Sequence, residues 1–168
     1  HGMLITKDAS SFIVLGEAVC GLSEDELLAE GISKGEGKVG GCTHCGECRR
    51  QCPADAADDK SRCISSITQK KGELSESEKD IIRKTGMVWG CDVCALACPV
   101  TKIAMKNGTL KTDIPYFTEG RLGTVDEGLI SSMSDEEYKR YSFSWRKREV
   151  MIRNIRIASG TDSEGENV

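Results

Sequence analysis

Nine cysteines in 168 residues constrain this chain more than any hydrophobic pattern in it. They stand at 20, 42, 45, 48, 52, 63, 91, 94 and 98, and most fall in two tight runs. The first run, Cys42, Cys45, Cys48 and Cys52 followed by Pro53, spells C-x2-C-x2-C-x3-C-P. The second, Cys91, Cys94 and Cys98 followed by Pro99, spells C-x2-C-x3-C-P. A secreted disulfide scaffold is usually shorter, with an even cysteine count behind a signal peptide. This chain has an odd count, and its first residues hold neither a basic leader nor a long apolar stretch. It starts at His1 rather than Met, so the encoded start is expected upstream. Three thiolates two residues apart can wrap one backbone turn around a corner of an iron–sulfur cube, and metal ligation is therefore the first expectation.

Composition fits a core built partly of something other than side chains. Hydrophobic residues make up 38% and aromatics 5%, against 18 glycines and 30% charged residues. The net charge of −4 and pI near 5.3 exclude a globally basic nucleic-acid binder and leave room for a local basic patch. No apolar run approaches the roughly 18 residues of a membrane span. A cytoplasmic location with no membrane contact is expected.

In two-cluster ferredoxins the fourth cysteine of such a run ligates the other cluster. That rule assigns Cys42, Cys45 and Cys48 to cluster one and sends Cys52 to cluster two. By symmetry Cys91 and Cys94 hold cluster two, and Cys98 crosses back to cluster one. The second run has one cysteine fewer than the first, so a remote thiolate must complete cluster two. Cys20 and Cys63 are the candidates, and Cys63 is preferred because it lies between the runs. Two structural zinc sites are a competing use of the same thiolates, although zinc normally takes two separated pairs. His44 is expected to be exposed rather than a ligand, since four thiolates already satisfy a cube. Cys20 is expected to be a small buried hydrophobe.

Around that centre the expected fold class is α+β. It comprises a ferredoxin-like double [4Fe-4S] module, a short N-terminal β-hairpin and a C-terminal helical region. Residues 11–19 form an apolar, partly β-branched run that reads as a strand, with Leu4, Ile5 and Thr6 as its partner across a turn at residues 7–10. Capping boxes at Ser23 and Glu26, Ser75 and Glu78, and Ser134 and Glu137 predict three helix starts. The second helix carries Ile81 and Ile82 and should stop at Gly86. The glycine-rich stretch 31–41 reads as a loop, and the acidic tail 161–168 is expected to fray. The segment from Lys139 to Arg156 is basic, with Arg146, Lys147, Arg148, Arg153 and Arg156 opposite an apolar side of Met151, Ile152 and Ile155. It reads either as a solvated helix face or as a phosphate-contacting patch for RNA.

Three strings together resemble one family. They are the first cysteine run, then Arg62, Cys63, Ile64, Ser65 and Thr68, then Gly90, Cys91, Asp92, Cys94, Cys98 and Pro99. This pattern is similar to the iron–sulfur half of the epoxyqueuosine reductases. Residues 2–6 with 11–17 resemble the segment before that family's ferredoxin module, and Arg153 with Asn154 resembles its C-terminal helical repeat. The Arg-Cys-Ile-Ser string is the most specific element, absent from ordinary ferredoxins, and it independently favours Cys63 as the missing ligand.

The resemblance implies two [4Fe-4S] clusters feeding electrons singly to cobalamin, for reduction of epoxyqueuosine in tRNA to queuosine. It implies that the cobalamin domain and the catalytic acid lie N-terminal to this segment, so no catalytic residue is expected here. Phe12, Leu15, Gly16 and Ser65 would lie nearest the cobalamin. The implied partners are that upstream domain or another electron-acceptor protein, tRNA, and an external electron donor such as ferredoxin or flavodoxin. The implied division is a remnant of the cofactor domain over 1–30, the loop over 31–41, the cluster module over 42–110, the helical region over 111–160 and the tail over 161–168. A ferredoxin domain of a different corrinoid or redox enzyme, and a non-enzymatic zinc-binding interaction module, are the alternatives.

Overall fold

A computed structural model describes residues 2–6, 9–32 and 41–162. Short helices separated by turns carry or flank most of the cysteines. The three capping boxes all form. Ser23 opens α1 (Glu24–Ala29), Ser75 opens α4 (Glu76–Thr85) and Ser134 opens α9 (Asp135–Lys139). In each the serine hydroxyl accepts the N3 backbone N–H while the N3 glutamate accepts the serine's own N–H. Helix α4 ends at Gly86, whose φ of 66° places it in the left-handed region that favours glycine at a helix C-terminus.

The cluster segment contains α2 (Glu47–Arg50), a 3-10 turn (Lys60–Arg62), α3 (Ile64–Thr68), α5 (Val93–Ala97) and α6 (Pro99–Lys106). Helix α2 packs against α5, so the two cysteine runs lie side by side. Beyond them come α7 (Pro115–Thr118), α8 (Glu127–Ser132), a second 3-10 turn (Ser142–Trp145) and α10 (Arg148–Ser159). Helix α10 packs on α3, α4 and α8 and feeds both apolar clusters of the core. Met151 and Ile155 join Ile130, Tyr138 and Phe143, while Ile157 joins Ile67, Leu74 and Ile82. Tyr141 stacks on Phe143 there and Tyr138 meets Phe143 at a tilt, so much of a scarce aromatic complement sits in one place.

The expected β-hairpin does not form, and all regular structure among the described residues is helical, with no strand. What remains is a single antiparallel bridge between Thr6 and Ser10, with backbone bonds of 2.8 and 3.0 Å. Residues 12–20 run without regular structure, and Val14 and Val19 are 91% and 101% exposed. β-branched residues favour a strand only where a neighbouring strand takes up the backbone groups, and none is available here. Ser10, buried and at φ 51°, anchors the bridge to α6 through a 2.7 Å bond between its Oγ and Thr101 Oγ1. Most of the glycine-rich stretch, residues 33–40, and the tail from 163 onward lie outside the described residues. Before that point Asp162 pairs with Arg83 at 2.7 Å.

Candidate metal centre

Each cysteine run is shaped by its own local backbone. Gly46 caps α2 at φ 76°, turning the chain between Cys45 and Cys48, and Gly90 at φ 62° turns it into Cys91. A Cβ on Gly90 would meet nothing within 4 Å, so the demand there is conformational and not steric. Cys98 is the N-cap of α6, and Pro99 occupies the first turn, where its missing N–H costs nothing.

Cys42, Cys45, Cys48 and Cys98 line one small cavity, together with Ile5, Thr43, Gly46, Pro99 and Val100. Four thiols from two distant runs thus converge on one space with an apolar wall. The soft-thiolate donor set fits a cube held by four cysteines, with Cys42 and Cys45 exposed, Cys48 half-buried and Cys98 buried. The His44 N–H donates to Cys42 Sγ at 3.3 Å, while the His44 residue itself is exposed as expected.

Cys52, Cys63, Cys91 and Cys94 are each half-buried. Burial pushes the Cys91 and Cys94 thiols up, and the Cys63 sulfur adds to the rise at both. Cys52 acts on Cys91 in the same sense, so Cys91 lies within electrostatic reach of both Cys52 and Cys63. The Ala56 N–H donates to Cys52 Sγ at 3.3 Å. Arg62 Nε donates to the Ala54 carbonyl at 2.9 Å and ties the turn after Cys52 to the segment that presents Cys63. Cys63 joins the first 3-10 turn to α3 as the N-cap of the latter. Cys20, expected to be buried, is exposed at the end of the unpaired run 12–20, most of which is itself exposed among the described residues. Among the described residues no group of three or more His, Cys, Asp or Glu is arranged to hold a single metal ion.

The other expected site residues fall elsewhere. Phe12, Leu15 and Gly16 lie exposed on the extended run, and Ser65 lies on α3, where it accepts from Gln69 Nε2 at 2.9 Å. No hydrogen bond joins Ser65 to that run among the described residues. The arginines of the basic segment mostly turn inward. Arg146 donates to the Gln69 carbonyl at 2.7 Å and its guanidinium covers the Trp145 ring. Arg148 donates to the Ile130 carbonyl and to Asp135, Arg153 to the Gly72 carbonyl, and Arg156 pairs with both oxygens of Glu127. Lys147, the N-cap of α10, stays exposed. These arginines hold α10 against the rest of the molecule, an outcome that charge pattern alone does not distinguish from a phosphate-binding face.

A different surface combines rings and cations. Tyr116, Phe117, Tyr141 and Trp145 line an open groove with Arg121, Lys139 and Arg140, against one acid, Glu119. Tyr116, Phe117 and Trp145 are more than half exposed, and none of the three cations forms an ion pair among the described residues. Sequence reasoning missed this groove because its rings come from two separate segments, Tyr116 with Phe117 and Tyr141 with Trp145. It also missed Arg62 and Asn154 as structural ties, although both sit in strings it had singled out.

The fold and the thiol clusters define a double-cluster iron–sulfur module, and residues 41–101 match the family described as the 4Fe-4S double cluster binding domain. The chain carries two [4Fe-4S] clusters. The epoxyqueuosine reductases are the particular family it resembles, and the likeness runs along nearly its whole length. It is 30% identical to the epoxyqueuosine reductase of Lactococcus garvieae, covering 98% of this chain and 45% of that protein. Identity is 30% to the Bacillus cereus enzyme over 92% of this chain and 40% of the relative, and 24% to that of Escherichia coli K12 over 100% and 43%. A crystal structure of selenomethionine-labelled epoxyqueuosine reductase superposes with a TM-score of 0.50 at 26% identity, over 74% of this chain and 34% of that one. The chain thus spans less than half the length of these relatives.

Proposed function

We propose that this chain is the electron-relay part of an epoxyqueuosine-reductase-like enzyme. Cluster one would be held by Cys42, Cys45, Cys48 and Cys98, and cluster two by Cys52, Cys63, Cys91 and Cys94. The observation that carries the reading is the convergence of four thiols from both runs on one apolar-walled cavity, with α2 and α5 packed side by side. When bound, each cluster passes one electron at a time.

The chain's own residues would set how readily that happens. The His44 and Ala56 N–H groups donate to thiolate sulfurs and offset negative charge there, which favours the reduced state. Ile5, Pro99 and Val100 keep water from one face of cluster one. The acceptor would be cobalamin held by another part of the longer enzyme, near Phe12, Leu15, Gly16 and Ser65, and the final substrate epoxyqueuosine in tRNA. An external ferredoxin or flavodoxin would supply the electrons. Unpaired nucleotides of the RNA would find stacking faces on Tyr116, Phe117 and Trp145 and counter-charges in Arg121, Lys139 and Arg140.

Anaerobic purification followed by iron, sulfide and zinc analysis tests the relay. About eight irons per chain with broad visible absorption are expected for two cubes, and zinc without iron would overturn the reading. Conversion of epoxyqueuosine-containing tRNA by the full-length protein, with cobalamin and a one-electron donor, tests the enzyme. Intact clusters without conversion would instead favour a different corrinoid or redox partner.

A further inference from the structure

We infer that Asn154 is a positioning residue for cluster two, fixing the distance between the segment that presents Cys63 and the one that presents Cys91. The inference rests on the proposed ligand set for that cluster. Asn154 is fully buried on α10, whose other buried residues are Val150, Met151, Ile155 and Ile157. An amide buried among apolar neighbours is costly unless it is bonded, and this one is bonded at both ends. Its Nδ2 donates to the Thr68 carbonyl at 2.7 Å and to the Val88 carbonyl at 2.9 Å. Its Oδ1 accepts from Arg153 Nε at 3.1 Å and Nη2 at 2.9 Å.

The two carbonyls belong to different cluster-bearing segments. Thr68 ends α3, the helix that Cys63 caps, and Val88 lies three residues before Cys91. Thr68 closes the loop a second time, because its Oγ1 accepts the Gly90 N–H at 3.1 Å and donates to the Ile64 carbonyl at 2.8 Å. An apolar side chain at 154 would fasten α10 to the core equally well. Only a carboxamide offers two donors, in a fixed fork, to carbonyls on separate segments. Cys63 is the ligand that depends most on such a tie, because it belongs to neither cysteine run and local spacing cannot place it. Groups that orient a ligand from behind commonly change metal affinity by about 10–100-fold when replaced.

Iron release from the anaerobic, cluster-loaded chain to an iron(II) chelator reads this directly. Asn154→Leu is expected to speed release of one half of the iron by about 10–100-fold and to leave the other half unchanged. The labile half should be the half that Cys63→Ser lacks. Arg156→Gln breaks the pair between the same helix and Glu127 of α8 without touching the tie, and should leave release from both halves unchanged. Unchanged release in Asn154→Leu, or equal acceleration of both halves, overturns the inference. Should Asn154→Leu fail to fold, Thr68→Val breaks the bond to Gly90, and the same selective lability is expected or the inference falls. A Cys63→Ser protein that keeps all its iron would sink the ligand set instead, a result separable from failure of the tie.

Discussion

Single residues in this chain act mainly by presenting sulfur or by setting backbone direction. Cys63→Ser should remove four of about eight irons, and Cys20→Ser none, as read by iron analysis and visible absorption. Loss of four irons in Cys20→Ser would reverse the choice between the two remote thiols. Gly46→Ala tests backbone direction. A Cβ there adopts the left-handed conformation at a cost of about 1–2 kcal/mol, and would lie 3.2 Å from Arg50 Nη1, a flexible end that can move aside. The expected outcome is a lower denaturant midpoint in the cluster-loaded protein, with iron content retained. Residue-level reading from sequence worked best where chemistry is local. The spacing of Cys42, Cys45 and Cys48 is a property of one turn and is visible in the letters. The burial of Asn154 is not, because its partners Thr68 and Val88 lie 86 and 66 residues away.

At the scale of elements, helix starts were legible because a capping box is closed by residues three apart. Ser75→Ala removes the hydroxyl that accepts the Glu78 N–H and should cost about 1 kcal/mol of stability. Glu78 adds a pH dependence. Bonds from Lys70 and Ser75 hold its carboxyl below its ordinary value of 4.5. A lowered folded-state value means the contribution is present above pH 4.5 and lost as pH falls through the lowered value. Denaturation midpoints of wild type and Glu78→Gln should therefore differ at neutral pH and converge in acid. A difference that persists in acid would assign the effect to packing. The strand expected over 11–19 failed for the opposite reason. Alternating and β-branched residues describe a side chain's preference, but a strand needs a partner backbone, and sequence carries no sign of whether one is present. The arginines on and just before α10 misled similarly, since charge at helical spacing looks alike whether it meets phosphate or the carbonyls of residues 69, 72 and 130.

For the whole molecule, two kinds of core share the load. Residues 127–159 bury Ile130, Tyr138, Phe143, Met151 and Ile155 in a conventional apolar cluster. The segment 42–98 has little of its own beyond Ala54, Ile64, Ile67, Leu74, Ile82, Ala95, Ala97 and Cys98, and would rely on inorganic sulfide and iron to hold its turns. Removing iron with a chelator should raise amide hydrogen exchange steeply across α2, α5 and the start of α6. Helix α10 and α8 should keep much of their protection. Uniform loss of protection along the chain would mean a single cooperative unit. No helix among the described residues is long and apolar enough to cross a membrane.

The reach of α10 back to residues 68 and 88 also sets an order of events during synthesis. Cys91 leaves the ribosome about sixty residues ahead of Asn154. At roughly 5–20 residues per second that interval lasts about 3–12 seconds. Throughout it the Thr68 and Val88 carbonyls lack their final donor, while most of the cysteines are already exposed to the cell. Metal delivered in that window meets an open second site, whereas metal delivered after translation of α10 meets a spaced one. The distance in sequence between a helix and the ligands it steadies thus becomes a question of timing for whatever machinery loads the iron.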